Sequence, residues 1–248
     1  MEESSLFSLT NKSVLVTGAS SGIGQAIAVV CAKMGAKVIV TGRNEERLLG
    51  TFKQLLGTGH FMCAADLTKD ADVEKMVNAI PVLDGVVHCA GVGHRKICRQ
   101  INSSDIDVVM EYNFKAPVLL QTSLLAKKKI AKGASIVFIC SAASESPSTG
   151  NAVYSASKAA LQAYAKVLAI ELAPRKIRVN TINPAMVWTD LILKDGLSKE
   201  DLINDEQKYL LKRYGTPKDV APLAVYLLSD ASSWMTESSI KITGGERL

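Results

Sequence analysis

The chain has 248 residues, 48% of them hydrophobic, with a formal net charge of +5 and a sequence pI near 8.9. This length supports one large core, so a single domain over residues 1–248 is expected, and no window reaches the ~18 apolar residues of a membrane span. Cys31, Cys63, Cys89, Cys98 and Cys140 form no C-x-x-C pair, and His60, His88 and His94 make no ligand cluster with them, which argues against a structural metal site and a secreted disulfide framework.

Valine- and isoleucine-rich runs at Ser13–Val16, Lys37–Thr41, Phe61–Ala64, Gly85–His88, Ser135–Cys140 and Arg178–Ile182 are apolar at nearly every position, as in strands buried on both faces. Between them the spacing predicts helices at Ile23–Met34, Glu45–Leu56, Asp70–Ile80, Ser104–Lys129 and Ala152–Leu172. Alternating strands and helices imply right-handed crossovers and an α/β fold, a doubly wound parallel sheet of Rossmann type with helices on both faces. The stretch from Ala185 to Tyr214 breaks this rhythm late in the fold, where ligands bind at strand ends; it reads as a substrate lid or as a packed surface helix. The acidic start, MEESSLFSLTNK, does not look like a signal peptide, and a cytoplasmic protein is expected.

After the first strand the chain reads Thr17-Gly18-Ala19-Ser20-Ser21-Gly22-Ile23-Gly24 and runs into an apolar helix. Glycine allows a sharp turn and close backbone approach to a pyrophosphate, and the helix N-terminus supplies unpaired N–H groups. A ribose-binding acid would stand about 20 residues beyond the glycines. There the second strand ends in Gly42 and Arg43. A carboxylate would repel a 2′-phosphate and a guanidinium bonds one, so NADP is expected over NAD. The alternative is a surface arginine neutralised by Glu45 and Glu46.

Tyr154 and Lys158, four apart at the start of a helix, project from one face about 6 Å apart along the axis. A phenol titrates near a pKa of about 10, and a neighbouring ammonium favours its phenolate, making Tyr154 a candidate general acid and base. Ser141 closes an apolar strand upstream and is a candidate to hold a substrate oxygen.

The glycine spacing G-x-x-x-G-x-G, with Tyr154-Ser155-Ala156-Ser157-Lys158, Ser141 and Asn113, resembles the short-chain dehydrogenase/reductase family over essentially the whole chain. The resemblance implies a hydride transfer between nicotinamide and a carbonyl or secondary alcohol, with Asn113, Ser141, Tyr154 and Lys158 as the catalytic set. In it Asn113 holds a water leading toward the lysine; the alternative is a helix-surface amide. It also implies cofactor contacts from Gly18, Ser20, Ser21, Gly22, Ile23, Gly24 and Arg43. Further contacts would come from Asp66, Leu67, Ala90, Gly91, Tyr154, Lys158, Pro184, Val187 and Thr189. Asp66 has a second reading as a helix cap. Four departures stand out: Ser21 replaces a basic residue of NADP-specific relatives, His88 and Cys89 replace two asparagines, and Ala185 replaces a glycine.

Trp188, Leu191, Ile192 and Leu193, with Val92–Lys96 and Ser144–Thr149 opposite, are candidate substrate walls, the basic run His94-Arg95-Lys96 favouring an anionic or polar substrate. The chain is similar to 3-oxoacyl-carrier-protein reductases, and Lys127-Lys128-Lys129 with Arg175-Lys176 would suit an acidic carrier of an acyl thioester. Sugar, polyol, steroid and xenobiotic carbonyls stay open beside it. The resemblance also implies a homodimer or homotetramer. No basic motif studded with aromatics points to nucleic acid. A non-catalytic NADP-binding sensor or scaffold with the same fold is the remaining alternative.

Overall fold

The computed structural model describes residues 6–193 and 198–245. Seven parallel strands form one sheet in the order β3-β2-β1-β4-β5-β6-β7. They are β1 Ser13–Thr17, β2 Lys37–Gly42, β3 Phe61–Ala64, β4 Leu83–His88, β5 Ile130–Ile139, β6 Arg178–Pro184 and β7 Ser239–Ile242. The helices are α1 Gly22–Lys33, α2 Glu45–Phe52, α3 Asp70–Ala79, α4 Ser103–Met110, α5 Ala116–Ala126, α6 Ala152–Leu172, α7 Asp190–Leu193, α8 Lys199–Glu206 and α9 Pro217–Leu228. The strand order reverses at β1, between β2 and β4, opening the crevice at the strands' carboxyl ends where this architecture binds ligands.

Alternation within each strand feeds two cores. Val14 and Val16 of β1 enter one with α1, α2 and α9, while Leu15 enters the other with α3, α5 and α6. With both faces covered, successive positions are apolar, which is why these strands are visible in the sequence.

Three expectations change. The helix expected over Ser104–Lys129 is two helices, because Pro117 has no N–H for the carbonyl of Asn113 and its ring crowds that carbonyl. The chain widens there into a π-turn, Glu111–Lys115, with the Ala116 N–H on the Glu111 carbonyl. The second predicted helix stops at Phe52 in a tighter turn, Gln54 and Leu55 bonding the carbonyls of Thr51 and Phe52. Finally, α9 and β7 add to the predicted elements. Pro217 and Pro222 interrupt the helical signal of α9, and β7 is only half-buried.

The expected lid segment leaves and rejoins the fold at one neck. Val187 bridges Gly215, the Trp188 N–H bonds the Gly215 carbonyl at 2.9 Å, and the Gly215 N–H bonds the Met186 carbonyl at 3.0 Å. Leu202, Tyr209 and Tyr214 form its own small core with Met186, Trp188 and Ile192. Residues 194–197 of this segment lie outside the described residues. Among the described residues, no helix is long and apolar enough to cross a membrane.

Candidate active site

The turn after β1 is built by backbone contact. Gly18, at φ +64°, would place a Cβ 2.8 Å from Ala90 Cα, and a Cβ on Gly24 would stand 2.4 Å from the Gly18 carbonyl oxygen. Neither site accepts a side chain without moving main chain. Thr17 Oγ1 accepts the N–H groups of Cys89 at 3.0 Å and Ala90 at 3.1 Å, locking the end of β4 against this turn. The first turn of α1 contains no acid and Ser21 makes no side-chain cap, so its N–H groups face the crevice without an internal acceptor from Ser21. Thr189 closes the other side, with Cγ2 3.2 Å from where a Gly22 Cβ would be. These glycines and the α1 terminus suit the diphosphate of a dinucleotide.

Two of the catalytic candidates, Asn113 and Lys158, meet at Gly91. Asn113 is fully buried: its Oδ1 accepts the Val92 N–H at 2.8 Å, and its Nδ2 donates to the Val92 carbonyl at 3.0 Å and to Ser157 Oγ at 3.1 Å. It is a core amide, which overturns the surface alternative. Ser157 in turn donates to the Tyr154 carbonyl at 2.7 Å, tying the first turn of α6 to the π-turn. Lys158 Nζ donates to the Ile139 carbonyl at 3.0 Å and lies 5.9 Å from the Tyr154 ring centroid. A Cβ on Gly91 would approach Asn113 Oδ1 to 2.9 Å and Lys158 Nζ to 3.5 Å. Ser141 follows at the end of β5, its Oγ accepting the Ala143 N–H at 3.1 Å.

The residues that depart from the family pattern take other work. His88 stacks on Phe138 with ring centroids 4.5 Å apart and bonds Gln121 Oε1 through Nε2 at 2.9 Å, so β4 and α5 remain joined by a buried polar pair. Burial pushes its pKa down to about 4, the Gln121 bond opposing. Cys89 packs into the α1/α9 layer, where burial lifts its thiol to about 12 despite the nearby Lys158 charge. Asp66 accepts the Thr68 N–H at 3.1 Å and its hydroxyl at 2.8 Å, so the carboxylate shapes its own turn. Burial raises its pKa, but the Thr68 bonds and the charges of Arg43 and Lys69 outweigh this and leave it below the ordinary value.

Two expected surfaces are altered. In the run His94-Arg95-Lys96, His94 and Lys96 both turn to Asp105, at 3.2 and 2.7 Å, while Arg95 Cγ packs 2.9 Å from the Cβ position of Gly150. Trp188 donates its indole N–H to Glu206 at 2.7 Å and lies against Tyr214, in the small core of the segment from Ala185 to Tyr214. Leu191 and Leu193 are exposed. Four contributors escaped the sequence reading: Thr17, Ser157, the Ile139 carbonyl and Tyr112, which accepts a hydrogen bond from Arg43 at 2.7 Å. Pro117 inside a predicted helix was the available signal for the π-turn.

The family described as Enoyl-(Acyl carrier protein) reductase matches residues 18–246. The chain is 33% identical over 240 residues to a 3-oxoacyl-[acyl-carrier-protein] reductase of Rickettsia felis, covering 97% of this chain and 98% of that one. Among solved structures, a 7α-hydroxysteroid dehydrogenase complexed with NADH and 7-oxo glycochenodeoxycholic acid superposes with a TM-score of 0.91 at 29% identity, covering 99% of this chain and 98% of that one. A 3-oxoacyl (acyl-carrier-protein) reductase from Agrobacterium tumefaciens C58 with NADP bound superposes with a TM-score of 0.90 at 26% identity and the same coverage of 99% and 98%. With its parallel sheet, glycine turn and these relatives, the chain belongs to the short-chain dehydrogenase/reductase family, oxidoreductases that transfer hydride with a nicotinamide cofactor.

Proposed function

We propose that the chain is an NADPH-dependent reductase of carbonyl compounds, reversible toward the secondary alcohol, with Tyr154 exchanging the proton. The observation that carries this reading is the convergence of Asn113 and Lys158 on Gly91, with Ser157 tying Asn113 to the Tyr154 carbonyl, beside a turn that tolerates no Cβ. When bound, the nicotinamide cofactor supplies or accepts the hydride. Gly18, Ser20, Ser21, Gly22, Ile23 and Gly24 would hold its diphosphate. Asp66, Leu67, Ala90 and Gly91 would line its adenosine and ribose, and Pro184, Val187 and Thr189 its nicotinamide end.

Ser141 would hold the substrate oxygen by hydrogen bond, and Tyr154 Oη would give its proton to that oxygen as negative charge develops there. Lys158, anchored on the Ile139 carbonyl, sets positive charge beside the phenol. Asn113 positions the loop at Val92 and, through Ser157, α6. A water leading to Lys158 would be held by its main-chain carbonyl, which Pro117 cannot engage, because its amide is already committed.

NADP is favoured by Arg43, an exposed cation at the end of β2, where Gly42 stands in the place of a ribose-binding acid that would repel a 2′-phosphate. An acyl thioester is a candidate substrate, but the carrier surface is thin. Lys127 pairs with Glu74, Lys129 bonds the Ile80 carbonyl and Arg175 bonds the Ile130 carbonyl, which leaves Lys128 and Lys176 as exposed cations of that group. A homo-oligomer is supported by exposed apolar residues on α4, α5 and α6.

Binding of NADPH and NADH, read by fluorescence, and oxidation of NADPH at about 340 nm, the reduced nicotinamide band, with a carbonyl panel that includes an acetoacetyl thioester, test the reading. Tighter NADPH binding, with turnover lost in Tyr154→Phe, is expected. Preferred NADH would remove the role of Arg43, and NADPH binding without turnover on any carbonyl would assign a cofactor-sensing protein instead.

A further inference from the structure

Arg43 and Tyr112 meet across the crevice. Arg43 stands between β2 and α2, in the layer that packs on one face of the sheet, and Tyr112 lies in the π-turn between α4 and α5, in the opposite layer. Nη1 of Arg43 donates to the Tyr112 hydroxyl at 2.7 Å, and the guanidinium carbon lies 4.6 Å from the centre of the Tyr112 ring. One turn further, Arg47 pairs with Asp190, just past Thr189 on the far lip. The start of α2 is therefore tied to both sides of the crevice, and Gly42 beside it abuts Ser20 of the glycine turn, a Cβ there reaching Ser20 Oγ at 3.3 Å.

We propose that Tyr112 is a positioning residue for cofactor choice, holding the Arg43 guanidinium in the pose that takes the 2′-phosphate of NADP. This rests on the reading of Arg43 given above. An arginine side chain at a surface samples many rotamers, and fixing it before the ligand arrives removes part of the entropy cost of binding. The Tyr112 hydroxyl occupies one Nη1 donor, and the guanidinium carbon lies over the tyrosine ring. The guanidinium's remaining N–H donors, along Nη2 and Nε, form the fork that suits a phosphate monoester. Tyr112 directly precedes Asn113, so the same π-turn that seats the catalytic-site amide presents the tyrosine toward Arg43.

Equilibrium binding to the full chain tests this, with NADPH and NADH as one pair of ligands and 2′,5′-ADP and 5′-AMP as another. Tyr112→Phe is expected to weaken NADPH and 2′,5′-ADP by roughly 3- to 10-fold, the factor of one ordinary hydrogen bond. NADH and 5′-AMP should be unchanged. Tyr112→Ala should add a further factor of roughly 2 to 5 from the lost ring contact. A merely structural role for Tyr112 would weaken both members of each pair together. If Arg43→Ala lowers the NADPH/NADH preference while Tyr112→Phe and Tyr112→Ala leave it intact, the proposal falls and the role of Arg43 stands. If Arg43→Ala leaves it intact as well, both fall. Equal tightening of all four ligands in Tyr112→Phe would also overturn the proposal, since the contact would then be closing the crevice instead of arming the arginine.

Discussion

Gly24 and Gly50 have the same side chain and opposite reasons for being there. Gly24 lies where a Cβ would meet the Gly18 carbonyl oxygen at 2.4 Å, a main-chain atom that cannot step aside without opening the turn after β1. Gly50 sits within α2 with nothing within 4 Å of its Cβ position. Gly24→Ala should therefore lose NADPH binding by at least an order of magnitude. Gly50→Ala should bind normally and gain roughly 0.5–1 kcal/mol in chemical denaturation, the difference between glycine and alanine in a helix interior. Loss of binding in both, or in neither, would contradict the assignment of the turn. At this scale the sequence was most legible where chemistry limits the choice of residue, as for Tyr154, Lys158, Asn113 and the glycines. Ser157 and Tyr112 are ordinary residue types whose work exists only in the folded contact, so no spacing announces them.

The joint between β4 and α5 carries a pH response. His88 is 2% exposed and held neutral, its pKa pushed down to about 4 from 6.5 by burial. Between those values the unfolded chain takes up a proton that the native protein refuses, so stability rises with pH across this window. The contribution is complete above 6.5 and is lost as pH falls toward 4, amounting to on the order of 3 kcal/mol. Urea denaturation from pH 7 down to about 4.5, a range chosen to span the ordinary histidine titration, should show a flatter dependence in His88→Asn, which keeps an amide able to bond Gln121. Identical pH slopes in the two proteins would remove His88 from the acid response. Among the elements, strands β1 to β6 were readable because most are covered on both faces, whereas β7 is half-buried and shows no continuous apolar run. The split between α4 and α5 was hidden by a periodicity that persists through the π-turn, and only Pro117 marked it.

For the whole molecule, the layer built from α3, α5 and α6 covers one face of the sheet yet presents large apolar side chains outward. Ile170 is 64% exposed and Val167 54%, three apart on one stripe of α6. Leaving such a stripe in water forfeits about 25 cal/mol for each Å² that a partner would cover, and contiguous patches of this kind mark association surfaces. A second copy of the chain can pair the stripe with itself about a two-fold axis, which needs one self-complementary face and no other partner. Light scattering behind size exclusion should then find an oligomer. Val167→Glu with Ile170→Glu should lower its mass, because each interface would contain two buried and unpaired carboxylates per protomer. The substituted positions lie away from Gly91 and the glycine turn, so NADPH binding by the smaller species is a check that the subunit itself stays folded. A wild-type monomer, or a doubly substituted protein of undiminished mass, would show that this face is solvated and that any assembly uses another surface.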